Sequence, residues 1–204
     1  MAEEKVFVNS GDLRIEGLLE DLSGDRGVVI THPHPLYGGE MHNPVVEALV
    51  QAFGEAGYTT LRFNFRGVGE SEGEYDGGRG EQEDVKAALR LLEGLGKSHV
   101  FLAGYSFGAW VNFMGLDKYE NVRGLVMISP PVGLLDFKGS LFGSKVKLVI
   151  TGSNDDIAEP EGVRERVMNW NSEAVLRVIE GADHFYWGKA HAIKESIKEY
   201  LENE

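Results

Sequence analysis

His99-Val100-Phe101-Leu102-Ala103-Gly104-Tyr105-Ser106-Phe107-Gly108 carries an uninterrupted apolar run straight into a Gly-x-Ser-x-Gly sequence, and small and apolar residues at helical spacing continue over Ser106–Leu116. That order of residue types predicts a buried strand, a tight turn and a helix. A serine in such a turn is lifted above the sheet edge, small neighbours let strand and helix approach each other, and the N–H of Phe107 is expected to point at a bound carbonyl oxygen. A bare Gly-x-Ser-x-Gly also arises by chance as glycines in a strand-to-helix turn, so its partners must decide.

Outward from this joint, strands and helices alternate. Lys5–Val8 and Leu13–Leu19 flank the polar turn Asn9-Ser10-Gly11-Asp12 and read as a hairpin. Gly27–Thr31 is a β-branched run that stops at His32-Pro33-His34-Pro35, and Pro44–Ala56 has helical spacing with Asn43 as cap and Pro44 at the first helical position. Tyr58–Phe63 is the next strand, Arg66–Gly80 a glycine- and acid-rich loop, and Glu81–Leu95 a helix. Val122–Ile128, Lys145–Thr151 and Ala174–Ile179 complete about eight strands, with helices near Val163–Trp170 and Lys189–Leu201. Alternation of this kind implies an α/β fold, a mostly parallel central sheet with helices on both faces and reactive groups at the carboxyl ends of its strands.

At 204 residues, with 42% hydrophobic and 26% charged residues, one domain spanning the chain is expected. The net charge of −13 repels nucleic acid and anionic membrane surfaces, so neither is expected as a partner. No cysteine is present, which excludes disulfides, thiolate nucleophiles and thiolate metal sites. Met1-Ala2-Glu3-Glu4-Lys5 lacks the basic start and apolar stretch of a secretory signal, and no apolar run nears the ~20 residues of a membrane span. A cytoplasmic location is the expectation.

A serine hydroxyl attacks at neutral pH only when a base takes its proton. Among six histidines, His184 lies in Gly181-Ala182-Asp183-His184-Phe185, between the last strand and the last helix, where a loop can fold it over Ser106. The turn after the penultimate strand is Gly152-Ser153-Asn154-Asp155-Asp156, which puts an acid between serine and histidine in chain order. Both aspartates are candidates; Asp155 is preferred, with Asp156 as a turn or capping carboxylate.

The second oxyanion donor normally comes from the loop after the third strand, here His32-Pro33-His34-Pro35-Leu36-Tyr37-Gly38-Gly39. That loop, the stretch Arg62-Phe63-Asn64-Phe65-Arg66-Gly67-Val68-Gly69-Glu70-Ser71, the turn around Ser106, Gly152-x-x-Asp155 and Asp183-His184-Phe185 follow one another over residues 28 to 188. Together they resemble the small, lidless, dienelactone-hydrolase-like esterases of the α/β-hydrolase superfamily. The resemblance implies a Ser106–Asp155–His184 triad with backbone donors from Phe107 and the loop. Relatives usually read His-Gly-x-x-Gly there; with Pro35 standing for the glycine, Leu36 supplies the N–H, whereas alignment on His32 makes it His34.

His32 and His34 sit beside prolines with no glutamate at helical spacing, which argues against a metal site. Arg66-Gly67-Val68-Gly69 lacks the third glycine and following helix of a dinucleotide site, and Arg66 is expected to pair with a carboxylate. Ser129 to Lys145 is too short for a cap domain, so the site should be open, with Leu36, Tyr37, Tyr105, Phe185, Tyr186 and Trp187 nearby and Tyr37, Tyr105, Tyr186 and Trp187 as substrate-binding candidates. The expected activity is hydrolysis of small carboxylic esters through an acyl-enzyme, without a cofactor and with a small-molecule acyl substrate. A thioesterase or small peptidase with the same triad, or a non-catalytic binding protein of this fold, are the alternatives.

Overall fold

The structure, a computed structural model, describes residues 3–137 and 143–203. Residues 1 and 2 of the acidic N-terminus, and residues 138–142 of the segment expected to be too short for a cap, lie outside them.

Eight strands form one sheet: β1 (Glu4–Ser10), β2 (Leu13–Glu20), β3 (Arg26–Thr31), β4 (Thr59–Phe63), β5 (His99–Tyr105), β6 (Val122–Ile128), β7 (Val146–Gly152) and β8 (Val175–Ile179). Their spatial order is β1-β2-β4-β3-β5-β6-β7-β8. The hairpin β1–β2 and the β2–β4 pair are antiparallel, and every pairing from β4 to β8 is parallel. The central strands β3, β5, β6 and β7 are largely apolar on both faces because helices cover both.

The helices are α1 (Pro44–Glu55), α2 (Arg79–Gly94), α3 (Phe107–Gly115), α4 (Pro160–Trp170) and α5 (Ala190–Leu201). The sheet divides the core in two. Leu61, Val85, Leu102, Phe107 and Phe113 pack on one face, and Ile30, Leu49, Phe53, Ile150 and Ile193 on the other. Helix starts follow capping chemistry: Asn43 Oδ1 accepts from Val45 N at 2.9 Å, and Glu159 Oε2 from Gly162 N at 3.0 Å, each ahead of a proline. α2 begins two residues before the sequence pattern suggested. Glu81, wholly buried, turns its carboxylate back to the Gly78 and Asp76 N–H groups at 2.7 and 2.9 Å and extends the first turn.

The fold is therefore the expected α/β-hydrolase arrangement, and among the described residues no cap domain stands between β6 and β7. The long loop after β4 is tied down by charge. Arg66 grips the buried Asp84 through Nη2 at 2.7 Å and Nε at 3.1 Å, and the Arg66 N–H donates to the same carboxylate. No helix among the described residues is long and apolar enough to cross a membrane.

Candidate active site

Ser106 sits between β5 and α3 with φ 53° and ψ −115°, a left-handed backbone that serine rarely adopts. The strain holds because nothing larger than glycine fits beside it. A Cβ on Gly104 would lie 2.6 Å from the Ala109 nitrogen, and one on Gly108 would lie 2.6 Å from the His32 carbonyl oxygen. The Ser106 N–H is meanwhile fixed to Ile128 O of β6 at 2.8 Å. The Gly-x-Ser-x-Gly pattern thus reads as close approach on both sides of a strained serine.

The loop after β8 brings His184 over this turn. Its Nε2 lies 3.0 Å from Ser106 Oγ, and its Nδ1 lies 2.9 and 3.0 Å from the two Asp155 oxygens. A carboxylate only accepts, so Nδ1 carries the proton and Nε2 faces the serine hydroxyl as acceptor. Tyr105 O–H donates to the His184 carbonyl at 2.7 Å, which anchors the loop.

Asp155 is buried in the turn after β7, whereas Asp156 is exposed. Asp155 Oδ1 also accepts from Ile157 N and Ala158 N at 3.0 and 2.7 Å, and Oδ2 from Ser129 Oγ at 2.6 Å. Burial alone would raise the carboxyl's pKa. The hydrogen bond and charge of His184, then the Ser129 hydroxyl and the Ala158 N–H, outweigh it and hold Asp155 below its ordinary value.

In the proline-rich loop the two expected donors, Leu36 and His34, lie in different surroundings. Residues 35–37 form a 3₁₀ turn capped by His34, and the Leu36 N–H is spent on His34 Nδ1 at 3.2 Å, with the Leu36 side chain 66% exposed. The Leu36 N–H is thus already engaged within its own loop. His34 lines the cavity at Ser106, and among the described residues its N–H has no acceptor. Phe107 opens α3, so its N–H has no acceptor within the helix either. The His34 ring stacks on Phe107 and Tyr75, with Tyr75 OH 3.3 Å from Nε2.

His32 turns inward instead. Wholly buried, it donates Nδ1–H to Pro33 O at 2.7 Å and accepts the Phe65 N–H at Nε2, 3.0 Å away. Both nitrogens are thus committed to the backbone. Among the described residues no three His, Cys, Asp or Glu side chains gather as a metal would require.

A cavity of about 600 Å³ opens over Ser106 and His184, walled by Tyr37, Phe107, Leu134, Leu135, Ile157 and Phe185. Among the described residues, none that lines it is a carboxylate or a cation-bearing Lys or Arg. Of the four expected substrate contacts, Tyr37 and Tyr105 lie on this wall. Tyr186 and Trp187 do not: they border an adjoining hollow of about 400 Å³, Trp187 largely exposed and Tyr186 buried with its hydroxyl 2.7 Å from Ser129 Oγ. Ser129 was missed in the sequence, although a serine at the carboxyl end of the strand between β5 and β7 is a visible signal.

The model of the family described as serine aminopeptidase, S33, matches residues 26–140. An uncharacterised protein of Rickettsia prowazekii is 33% identical over 97% of this chain and 88% of its own length. An alpha-beta serine hydrolase homologue from Coxiella burnetii is similar in structure, with TM-score 0.89, 35% identity and 98% of both chains covered. A Xanthomonas campestris protein described as an a/b serine hydrolase without lid superposes with TM-score 0.88 at 28% identity, over all of this chain and 95% of that one.

Proposed function

This chain belongs to the serine aminopeptidase S33 family of α/β-hydrolases, and within that family we propose that it cleaves small carboxylic esters through an acyl-enzyme on Ser106. The observation that carries the reading is the unbroken line from Ser106 Oγ through His184 to the buried Asp155 carboxylate, opening on an apolar cavity. His184 takes the Ser106 proton as Oγ attacks the acyl carbon. The Phe107 and His34 N–H groups receive the oxyanion, and His184 then protonates the leaving oxygen. Water, deprotonated by the same imidazole, releases the acid. The reaction needs no cofactor.

Ester substrates are favoured over peptides with a free amino terminus by the cavity wall. An ammonium group there would lose its water with no carboxylate to replace it, since Asp155 is turned away and engaged. Reaction with a fluorophosphonate should label Ser106, and Ser106→Ala should lower kcat for an uncharged short-chain ester at least about 10³-fold with thermal unfolding unchanged. An unlabelled, inactive wild-type protein would instead mark a binding protein on this fold. A panel of matched ester, thioester and amide substrates then fixes the leaving group.

A further inference from the structure

Among the described residues only Ser106, Ser129 and Tyr186 combine a side chain with a positive φ, at 53°, 44° and 53°. All three lie on one chain of hydrogen bonds, with Ser106 at one end and Tyr186 at the other. Taking the Ser106–His184–Asp155 reading as its basis, we infer that Ser129 and Tyr186 are positioning residues that aim the Asp155 carboxylate at His184 through a directed pair of donors.

Chemistry sets the direction of that pair. Asp155 Oδ2 can only accept, so Ser129 donates across the 2.6 Å contact. The Ser129 oxygen is then left to accept, and Tyr186 donates across 2.7 Å. Burial raises the Tyr186 pKa far above its ordinary value, so its proton stays in place at any working pH.

Asp155 Oδ1 is held by the N–H groups of its own turn, Ile157 and Ala158, and would move with that turn. Oδ2 is the oxygen tied to something else. Ser129 follows β6, its N–H bonded to Ile150 O of β7 at 2.7 Å, so its hydroxyl references the carboxylate plane to the sheet beneath Ser106. Tyr186, two residues beyond His184, carries the same reference back to the histidine loop. A positive φ at each residue is unfavourable without a compensating contact, and the shared contact is this one.

The test compares Ser129→Ala, Ser129→Gly and Tyr186→Phe with wild type in kcat, KM, the pH profile of kcat/KM and thermal unfolding. Removing the Ser129 donor leaves the carboxylate charge less shared, which makes it a stronger base and a tighter holder of the protonated imidazole. Tyr105 and Asp183, the ionisable neighbours on the other sides, are unchanged in these variants. The acid limb should therefore move to higher pH by about half a unit, and kcat should fall about tenfold with little change in KM.

Tyr186→Phe should act in the same direction and less. Glycine accepts a positive φ freely, so a merely structural Ser129 would be replaced by glycine with wild-type kcat and an unmoved limb. A Gly variant that is as stable as wild type yet shows the Ala defect supports the inference. A labelled, active wild type with Ser129→Gly and Tyr186→Phe both unmoved overturns it alone; a wild type that neither takes fluorophosphonate nor turns over esters overturns it together with the triad reading.

Discussion

Two loops contribute to the surroundings of Ser106, the acid turn at residues 152–158 through His184 and the proline-rich loop at residues 32–39 along the cavity wall, and they encode their contributions differently. In the acid turn the proposed working atom belongs to a side chain, and residue type narrows the choice to two adjacent aspartates. Burial separates them: Asp155 is enclosed by donors, and Asp156 faces solvent. In the proline-rich loop the proposed working atom is a backbone N–H, which every residue except proline carries. What selects one is which N–H is already used, and the 3₁₀ turn after His34 uses that of Leu36.

The largest expected effect tests the side-chain half of this contrast. Asp155→Asn leaves a group of the same size that cannot hold the Nδ1 proton as an anion, so kcat should fall about 10²- to 10³-fold. Asp156→Asn should stay within about twofold, as a surface change away from the reacting groups. Ester turnover by the two variants checks the ranking, and a larger loss at Asp156 would mean that the turn rearranges to present the other carboxylate.

The backbone half can be broken without disturbing the fold, because His34 has φ −60° and ψ 123°, values that proline adopts. His34→Ala removes the ring and keeps the N–H; His34→Pro removes both. Their ratio isolates the donor, and kcat for the proline variant should be about 10²-fold below that of the alanine variant. Leu36→Ala should leave kcat nearly unchanged. Equal kcat for His34→Pro and His34→Ala would take the second oxyanion donor away from residue 34.

Much of the fold was legible because its strands are buried on both faces and so appear as apolar runs ended by glycine and proline, as at Gly27–Thr31 and His99–Ala103. Ser106, Asp155 and His184 were legible from chain order and strand ends, and the structure brings them together. Less of the surroundings was. Tyr186 and Trp187 are neighbours in an aromatic run after His184, but a positive φ at Tyr186 sends one ring into the core and leaves the other in solvent, and composition carries no trace of that. The engagement of the Leu36 N–H was illegible for a related reason, since a histidine ring acting as a helix cap is hard to foresee between prolines. The Arg66–Asp84 pair fell on the expected side because a half-buried guanidinium and a buried carboxylate each need the other's charge.

The last expected effect is on stability and belongs to His32, two residues from His34 and opposite to it in its surroundings. His32 is a structural clamp between the ends of β3 and β4, and burial, aided by the charge of His34, drops its pKa from 6.5 to about 4 against the pull of the Pro33 carbonyl. In the unfolded chain an ordinary histidine protonates near pH 6.5, whereas in the folded protein His32 resists until about pH 4. The folded-state pKa is depressed, so the stability contribution is complete above about pH 6.5 and is lost as the pH falls toward 4. The gap corresponds to roughly 3 kcal/mol. Asp155, also held below its ordinary value, loses its own contribution in the same direction but at lower pH, where carboxylates titrate. Urea midpoints at pH 7, 5.5 and 4.5 should therefore fall steeply for the wild type. His32→Gln can still accept the Phe65 N–H but cannot titrate; it should start less stable at pH 7 and fall less over that interval. Parallel curves for the two proteins would show that His32 takes up its proton without opening the clamp, and the contrast between the two histidines of this loop would then rest on position alone.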